Sequence, residues 1–159
     1  MENPRKVIVT EVMDLPADFL WQTVSDFEHI DSWTALKVRA IEGHGIGCQR
    51  TVEMESGLLV TEQLLLCDHE NRVFCYAIVA PNPYPMRDYA STVTIEKLST
   101  RRSRLHWAGS YVPLDGNDPA RTDNLLRKVY TAGIELLRKH FGAATNDPTG
   151  GDAYPMKRT

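Results

Sequence analysis

A chain of 159 residues is the length of one domain that can bury a core of its own. With 42% hydrophobic and 25% charged residues it has the composition of an ordinary globular protein, not of a disordered or fibrous one. A net charge of −3 gives no electrostatic case for nucleic acid, and no apolar run is long enough for a signal peptide or membrane insertion.

In chain order, Lys6 to Met13 alternates and is rich in β-formers, which predicts a first strand. Leu15-Pro16-Ala17-Asp18 opens a helix running to Asp26, with proline suited to the first helical position and Asp18 near the positive end of the helix dipole. Glu28 to Trp33 reads as a second short helical turn, and Leu36 to Glu42 as a strand. Gly43, Gly45 and Gly47 punctuate a turn; no Gly-Lys-Ser/Thr follows, so this is no phosphate loop. Gln49 to Met54 and Leu58 to Cys67 form a hairpin across Glu55-Ser56-Gly57. The polar turn Asp68-His69-Glu70-Asn71 leads into a strand from Arg72 to Val79.

The stretch Ala80-Pro81-Asn82-Pro83-Tyr84-Pro85 cannot continue a central strand, because proline lacks the ladder donor. Strands follow at Tyr89 to Leu98 and Arg104 to Val112. Short connections make the seven strands antiparallel. Asp118 then caps a helix with Pro119 at its first position. Leu125, Leu126, Val129, Tyr130, Ile134, Leu137 and Phe141 form its apolar stripe, and Gly142 is placed to end it. One domain over 1–144 is expected, with 145–159 too polar to pack and so a flexible tail.

This order is strand, two short helices, six antiparallel strands and one long helix. It predicts an α+β helix-grip fold, in which a curved sheet wraps the C-terminal helix and leaves a cavity between them. The chain resembles the START-related (SRPBCC), polyketide-cyclase/dehydrase-like superfamily, which includes the birch-pollen-allergen fold. The matching features begin with Leu15-Pro16-Ala17-Asp18, Trp21, Asp26-Phe27 and Trp33. They continue through Gly45-Ile46-Gly47 with Arg50, Glu62-Gln63-Leu64, Arg72-Val73-Phe74-Cys75-Tyr76, Tyr89-Ala90-Ser91-Thr92 and Trp107. The match spans about Lys6 to Phe141.

Within the superfamily, Ser56-Gly57-Leu58, Glu62 and Tyr89-x-Ser91 resemble the plant abscisic-acid receptor branch, where a Ser-Gly-Leu loop is a gate and a later loop a latch. The latch position here holds Asn82-Pro83-Tyr84-Pro85 instead of His-Arg-Leu, and the hormone-anchoring lysine has no clear counterpart. The resemblance therefore implies shared cavity architecture, with gate loops at Ser56, Gly57, Leu58 and at Pro83, Tyr84, Pro85, and not hormone sensing.

Glu62 is the sharpest candidate for chemistry. The resemblance turns it toward the cavity, where loss of hydration favours the protonated form and would equip it as a general acid or base, with Tyr89 beside it. The competing reading pairs Glu62 with Arg50 on the neighbouring strand. Strand alternation groups Phe74, Tyr76 and Ile78; Tyr89, Ser91, Val93 and Ile95; and Trp107, Gly109 and Tyr111. If those faces point inward, the ligand-binding residues are Trp33, Val60, Tyr76, Ile78, Ser91, Trp107, Tyr111, Leu126 and Tyr130, an aromatic pocket with few hydroxyls.

The histidines are scattered without ligand spacing, and no metal site, no cofactor and no Cys-His pairing is expected. Cys48, Cys67 and Cys75, an odd count falling in predicted strands, read as free thiols in a reducing, cytoplasmic setting. Three functions remain open. The first is binding of a hydrophobic or aromatic small molecule. The second is a cyclase/dehydratase using Glu62 on a polyketide-like substrate. The third is a protein-interaction module working through the gate loops, which includes a homodimer through that face.

Overall fold

The computed structural model describes residues 3–79 and 82–145, with side chains through 142. Among these residues one antiparallel sheet of seven strands has the order β1-β7-β6-β5-β4-β3-β2. The strands are β1 (Arg5–Met13), β2 (Lys37–Glu42), β3 (Gln49–Glu53), β4 (Leu59–Asp68), β5 (Val73–Ile78), β6 (Met86–Lys97) and β7 (Ser103–Pro113). Helix α1 (Ala17–Val24) and a 3-10 helix (Phe27–Ser32) follow β1, and α2 (Pro119–Thr145) closes the fold. This is the helix-grip arrangement that the order of elements predicts.

The alternation of apolar and polar residues decides which face of the sheet is covered. Along β7, Leu105, Trp107, Gly109 and Tyr111 are buried while Arg104, His106, Ala108 and Ser110 are not. Along β6 the buried set is Tyr89, Ser91, Val93 and Ile95. On α2, Leu126, Tyr130, Ile134, Leu137 and Phe141 are buried. Such side chains contribute roughly 1.5–3 kcal/mol each on leaving water, far more than the helical propensity of the segment. Bulges between Val38 and Ala40, Leu64 and Leu66, and Arg87 and Ala90 bend the strands, which curls the sheet toward the helix.

Two glycines set how closely α2 approaches. A Cβ on Gly109 of β7 would lie 1.9 Å from the Tyr130 hydroxyl, and one on Gly133 of α2 would lie 2.7 Å from the Trp107 ring. Each glycine is the seat of an aromatic ring from the other element. The rings stack with centroids 5.0 Å apart and planes 16° apart. Arg138 ties the later part of the helix to β1 through the Val12 carbonyl, 3.1 Å away.

Several boundaries differ from the sequence reading. Pro16 is the N-cap of α1, not its first helical residue: its carbonyl accepts from the Phe19 and Leu20 amides at 3.2 and 3.3 Å. The helix stops at Val24 rather than Asp26, and the following turn spans Phe27–Ser32. Cys48 lies one residue before β3. Strand β6 begins at Met86 because the bulge at Arg87–Ala90 absorbs the irregular entry, with Asp88 at φ 54°. Gly142 does not end α2, which continues to Thr145. Glycine inside a helix costs about 1 kcal/mol, a penalty that a docked helix tolerates. Asp118 caps as expected, its Oδ1 accepting from the Ala120 amide at 3.1 Å. Most of the tail, 146–159, lies outside the described residues.

Candidate functional site

Between the concave face and α2 lies a cavity of about 520 Å³, within the size range of small-molecule sites. Strands β3 to β7 supply one wall. Val129, Tyr130, Gly133 and Leu136 of α2 supply the other. Ser56 and Pro83-Tyr84, from the two loops read as gates, are part of its lining. A larger concavity of about 720 Å³ runs beside the first turns of α2, lined by Asn117, Asp118, Arg121, Asn124 and Lys128. Its lining is polar apart from Pro85 and Leu125, whereas the cavity between sheet and helix is walled mainly by apolar and aromatic side chains, so the latter is the candidate site.

The register of the hairpin places Arg50 directly opposite Glu62, both on the concave face. Arg50 Nε donates to Glu62 Oε1 at 2.9 Å, and Nη1 donates to the Phe27 carbonyl at 2.7 Å. The guanidinium lies 4.0 Å from the centroid of the Phe27 ring and 5.4 Å from that of Tyr76. Arg50 is 3% exposed and Glu62 8%. Glu62 thus faces the cavity, as the resemblance implies, but in an ion pair rather than alone among apolar groups. Among the described residues no hydrogen bond reaches its second oxygen, Oε2.

A small polar cluster sits on and behind the cavity wall. The Tyr89 and Tyr130 hydroxyls are 2.6 Å apart, and Trp107 Nε1 donates to Ser91 Oγ at 2.8 Å. Burial pushes the phenols of Tyr76 and Tyr89 well above their ordinary value, with the Glu62 charge adding to the effect at Tyr76 and the neighbouring phenols at Tyr89. Burial likewise pushes Tyr130 up to about 12, against an opposing hydrogen bond from Tyr89. Tyr84 is raised by burial and then by Glu62. These tyrosines keep their protons at neutral pH. They offer hydrogen bonds and are poor at abstracting protons.

The lining brings together Trp33, Val60, Glu62, Tyr76, Ile78 and Tyr89 with Trp107, Leu126 and Tyr130, and also Ser56, Pro83 and Tyr84. Other sequence candidates fall outside it. Tyr111 points inward as alternation requires, but the first turns of α2 cover it there, and its hydroxyl donates to Asp123. Ser91 is fully buried beneath Trp107. Gly57 and Leu58 are on the loop but not in the lining, and Pro85 faces the polar groove.

The lining also includes residues that sequence reasoning missed: Ile30, Leu36, Val52, Met54, Gly133 and Leu136. A usable signal existed for two groups. Arg50, Val52 and Met54 share one strand face, and an isolated glycine within a helical stripe often marks close packing.

A Cys-His contact that the sequence did not reveal lies away from the cavity. Cys67 Sγ is 3.6 Å from His69 Nε2, while Trp21 Nε1 donates to His69 Nδ1 at 3.1 Å. The indole N–H can only donate, so the neutral imidazole carries its proton on Nε2 and cannot take one from the thiol. Burial pushes the Cys67 thiol up, which makes it a weaker nucleophile source. Among the described residues no group of three or more His, Cys, Asp or Glu side chains could hold a metal ion, and no helix is long and apolar enough to cross a membrane.

The family model for polyketide cyclase / dehydrase and lipid transport matches residues 4–142. The chain belongs to that family. No curated protein matches it. Among solved structures it is similar to an uncharacterized protein from Bacillus thuringiensis, with 20% identity over 86% of this chain and 98% of that one, at a TM-score of 0.75. It is equally similar to the protein XoxI from Bacillus cereus, with 20% identity over 86% and 94% and a TM-score of 0.75. A Thermobifida fusca protein matches with 20% identity over 81% and 84%, at a TM-score of 0.63. At this identity the three share the fold with this family member and nothing finer.

Proposed function

We propose that the protein binds a hydrophobic, ring-bearing small molecule in the cavity between the sheet and α2, and enters and releases it past Ser56 and Pro83-Tyr84. One observation carries the reading: the cavity of about 520 Å³ is walled mainly by apolar and aromatic side chains, and its buried acid, Glu62, is already ion-paired with Arg50. A carrier needs apolar walls and a few fixed polar groups, and this lining has both. The cyclase/dehydratase alternative needs Glu62 or Tyr89 to exchange a proton with substrate. The Arg50 guanidinium on Glu62 and the raised phenol of Tyr89 weigh against both roles.

The test uses Trp33 and Trp107, which line the cavity, as reporters. Titration with 2-naphthol should give a saturable change in tryptophan fluorescence. Val129→Trp, at a lining position on α2 that is 36% exposed, should fill the cavity and abolish that change without unfolding the protein. Binding that survives Val129→Trp unchanged, or a flat titration of the wild type, would overturn the reading. Native mass spectrometry of the purified protein, looking for a retained small molecule, gives the identity of the natural occupant.

A further inference from the structure

We infer that the cavity selects neutral ligands carrying a hydroxyl group, which donates to Glu62, and that it discriminates against carboxylates of the same size. This rests on the cavity being a ligand site and adds the chemistry of its polar anchor.

Three charged residues line the cavity among the described residues: Arg50, Glu55 and Glu62. Arg50 and Glu62 cancel, which leaves one negative charge, on Glu55. An anionic ligand entering this lining finds no uncommitted cation to receive it, and burying an unpaired charge is costly. Arg50 is the one cation in the lining among the described residues; only its Nη2 carries no hydrogen bond, and its side chain keeps 3% of its surface accessible. Nε is on Glu62, Nη1 is on the Phe27 carbonyl, and the guanidinium lies against the Phe27 ring.

Within the pair, accessibility falls on the acid. The Glu62 side chain keeps 11% of its surface accessible against 3% for Arg50. Its Oε2 has no hydrogen bond among the described residues, while Oε1 is fixed by Arg50. An ionised carboxylate only accepts, so the group that completes this site is a donor. Hydrogen bonds to a charged acceptor are stronger than neutral ones. Arg50 thus acts as a positioning residue: it holds the carboxylate aimed through Oε1 and leaves the other oxygen to the ligand.

Three naphthalenes of similar size separate the possibilities by isothermal titration calorimetry on the wild-type protein: 2-naphthol, 2-methoxynaphthalene and 2-naphthoate. The expected order is naphthol first and the methoxy compound, which cannot donate, about tenfold weaker, ~1.4 kcal/mol. Naphthoate should be weaker still. Glu62→Gln should bring naphthol and methoxynaphthalene within about threefold of one another, a residual preference being left by the neutral amide acceptor.

Because Glu62→Gln also disturbs the Arg50 pair, Glu55→Gln serves as a second variant. It removes the one uncancelled charge of the lining and should strengthen naphthoate binding by about threefold, a modest screened-charge effect. Equal binding of naphthol and methoxynaphthalene, or naphthoate binding as tightly as naphthol, would overturn the inference and leave the cavity reading intact. Binding of none of the three would instead overturn the cavity reading, and this inference with it.

Discussion

Two of the arginine–carboxylate pairs on the concave side of the sheet are built to opposite ends. Arg5 and Asp123 join β1 to the second turn of α2, with Arg5 Nε and Nη2 on the two carboxylate oxygens and the Tyr111 hydroxyl donating to Oδ1. Every acceptor there is occupied, so the pair is a clasp for the helix. Arg50 and Glu62 join β3 to β4 through one nitrogen and one oxygen, deeper in the protein and on the cavity wall. The same chemistry therefore fastens an element in one place and leaves a polar anchor in the other. What separates them is whether the guanidinium takes both carboxylate oxygens or only one.

The largest way to break this comparison is Glu62→Ala. It strands a guanidinium that is 3% exposed, and breaking a buried pair costs about 3–5 kcal/mol. Urea unfolding should show a loss of that size. The double variant Arg50→Leu/Glu62→Leu should recover most of it, because removing both charges spares the desolvation of the pair. Asp123→Ala should cost less than Glu62→Ala in the same assay, since the Arg5 side chain is 41% exposed and water can solvate it.

Tyr111→Phe is a smaller change that loosens the clasp without removing Arg5 from either oxygen. It deletes one hydrogen bond to a charged acceptor and should lower stability by about 1–2 kcal/mol, with no effect on the titration of the cavity by 2-naphthol. An altered titration would mean that the clasp and the cavity are coupled.

The smallest effect lies in the acid limb. The Arg5 guanidinium, joined by the Tyr111 hydroxyl, holds the Asp123 carboxyl below its ordinary value of 3.8. A carboxyl depressed by folding contributes stability that is present above that value and lost as pH falls through the lower, folded-state value. Melting temperature measured from pH 6 downward should therefore fall below about pH 3.8 as this contribution disappears. In Tyr111→Phe, with one of the depressing hydrogen bonds gone, the fall should begin at the same pH but be smaller and finish at higher pH. Identical acid limbs in the two proteins would show that the hydroxyl adds nothing to the pair.

Strand alternation, the Asp118-Pro119 cap and the stripe on α2 made the architecture readable in advance, because burial of one face of each element is written into residue spacing. Alternation also grouped Tyr76, Tyr89 and Trp107 on faces that are the inner ones, and the resemblance turned Glu62 the same way. It failed at Tyr111 for a physical reason: facing inward is a property of the strand, whereas facing a cavity depends on what lies opposite. At Tyr111 the opposite partner is Asp123 of α2, and at Tyr89 it is Tyr130 beside open space. Val129 shows the converse, since it belongs to the apolar stripe yet is 36% exposed because it borders the cavity.

The sequence by itself determined the element order, the antiparallel sheet, the covered face and the family. Local spacing, turn chemistry and caps act within a few residues and leave their record in the chain. Only the tertiary structure decided that Arg50 meets Glu62 in register, that Gly109 and Gly133 seat Tyr130 and Trp107, and that a space remains where α2 spans the curved sheet. Those outcomes depend on distances between segments, set by strand register, by bulges and by the closest approach of two backbones.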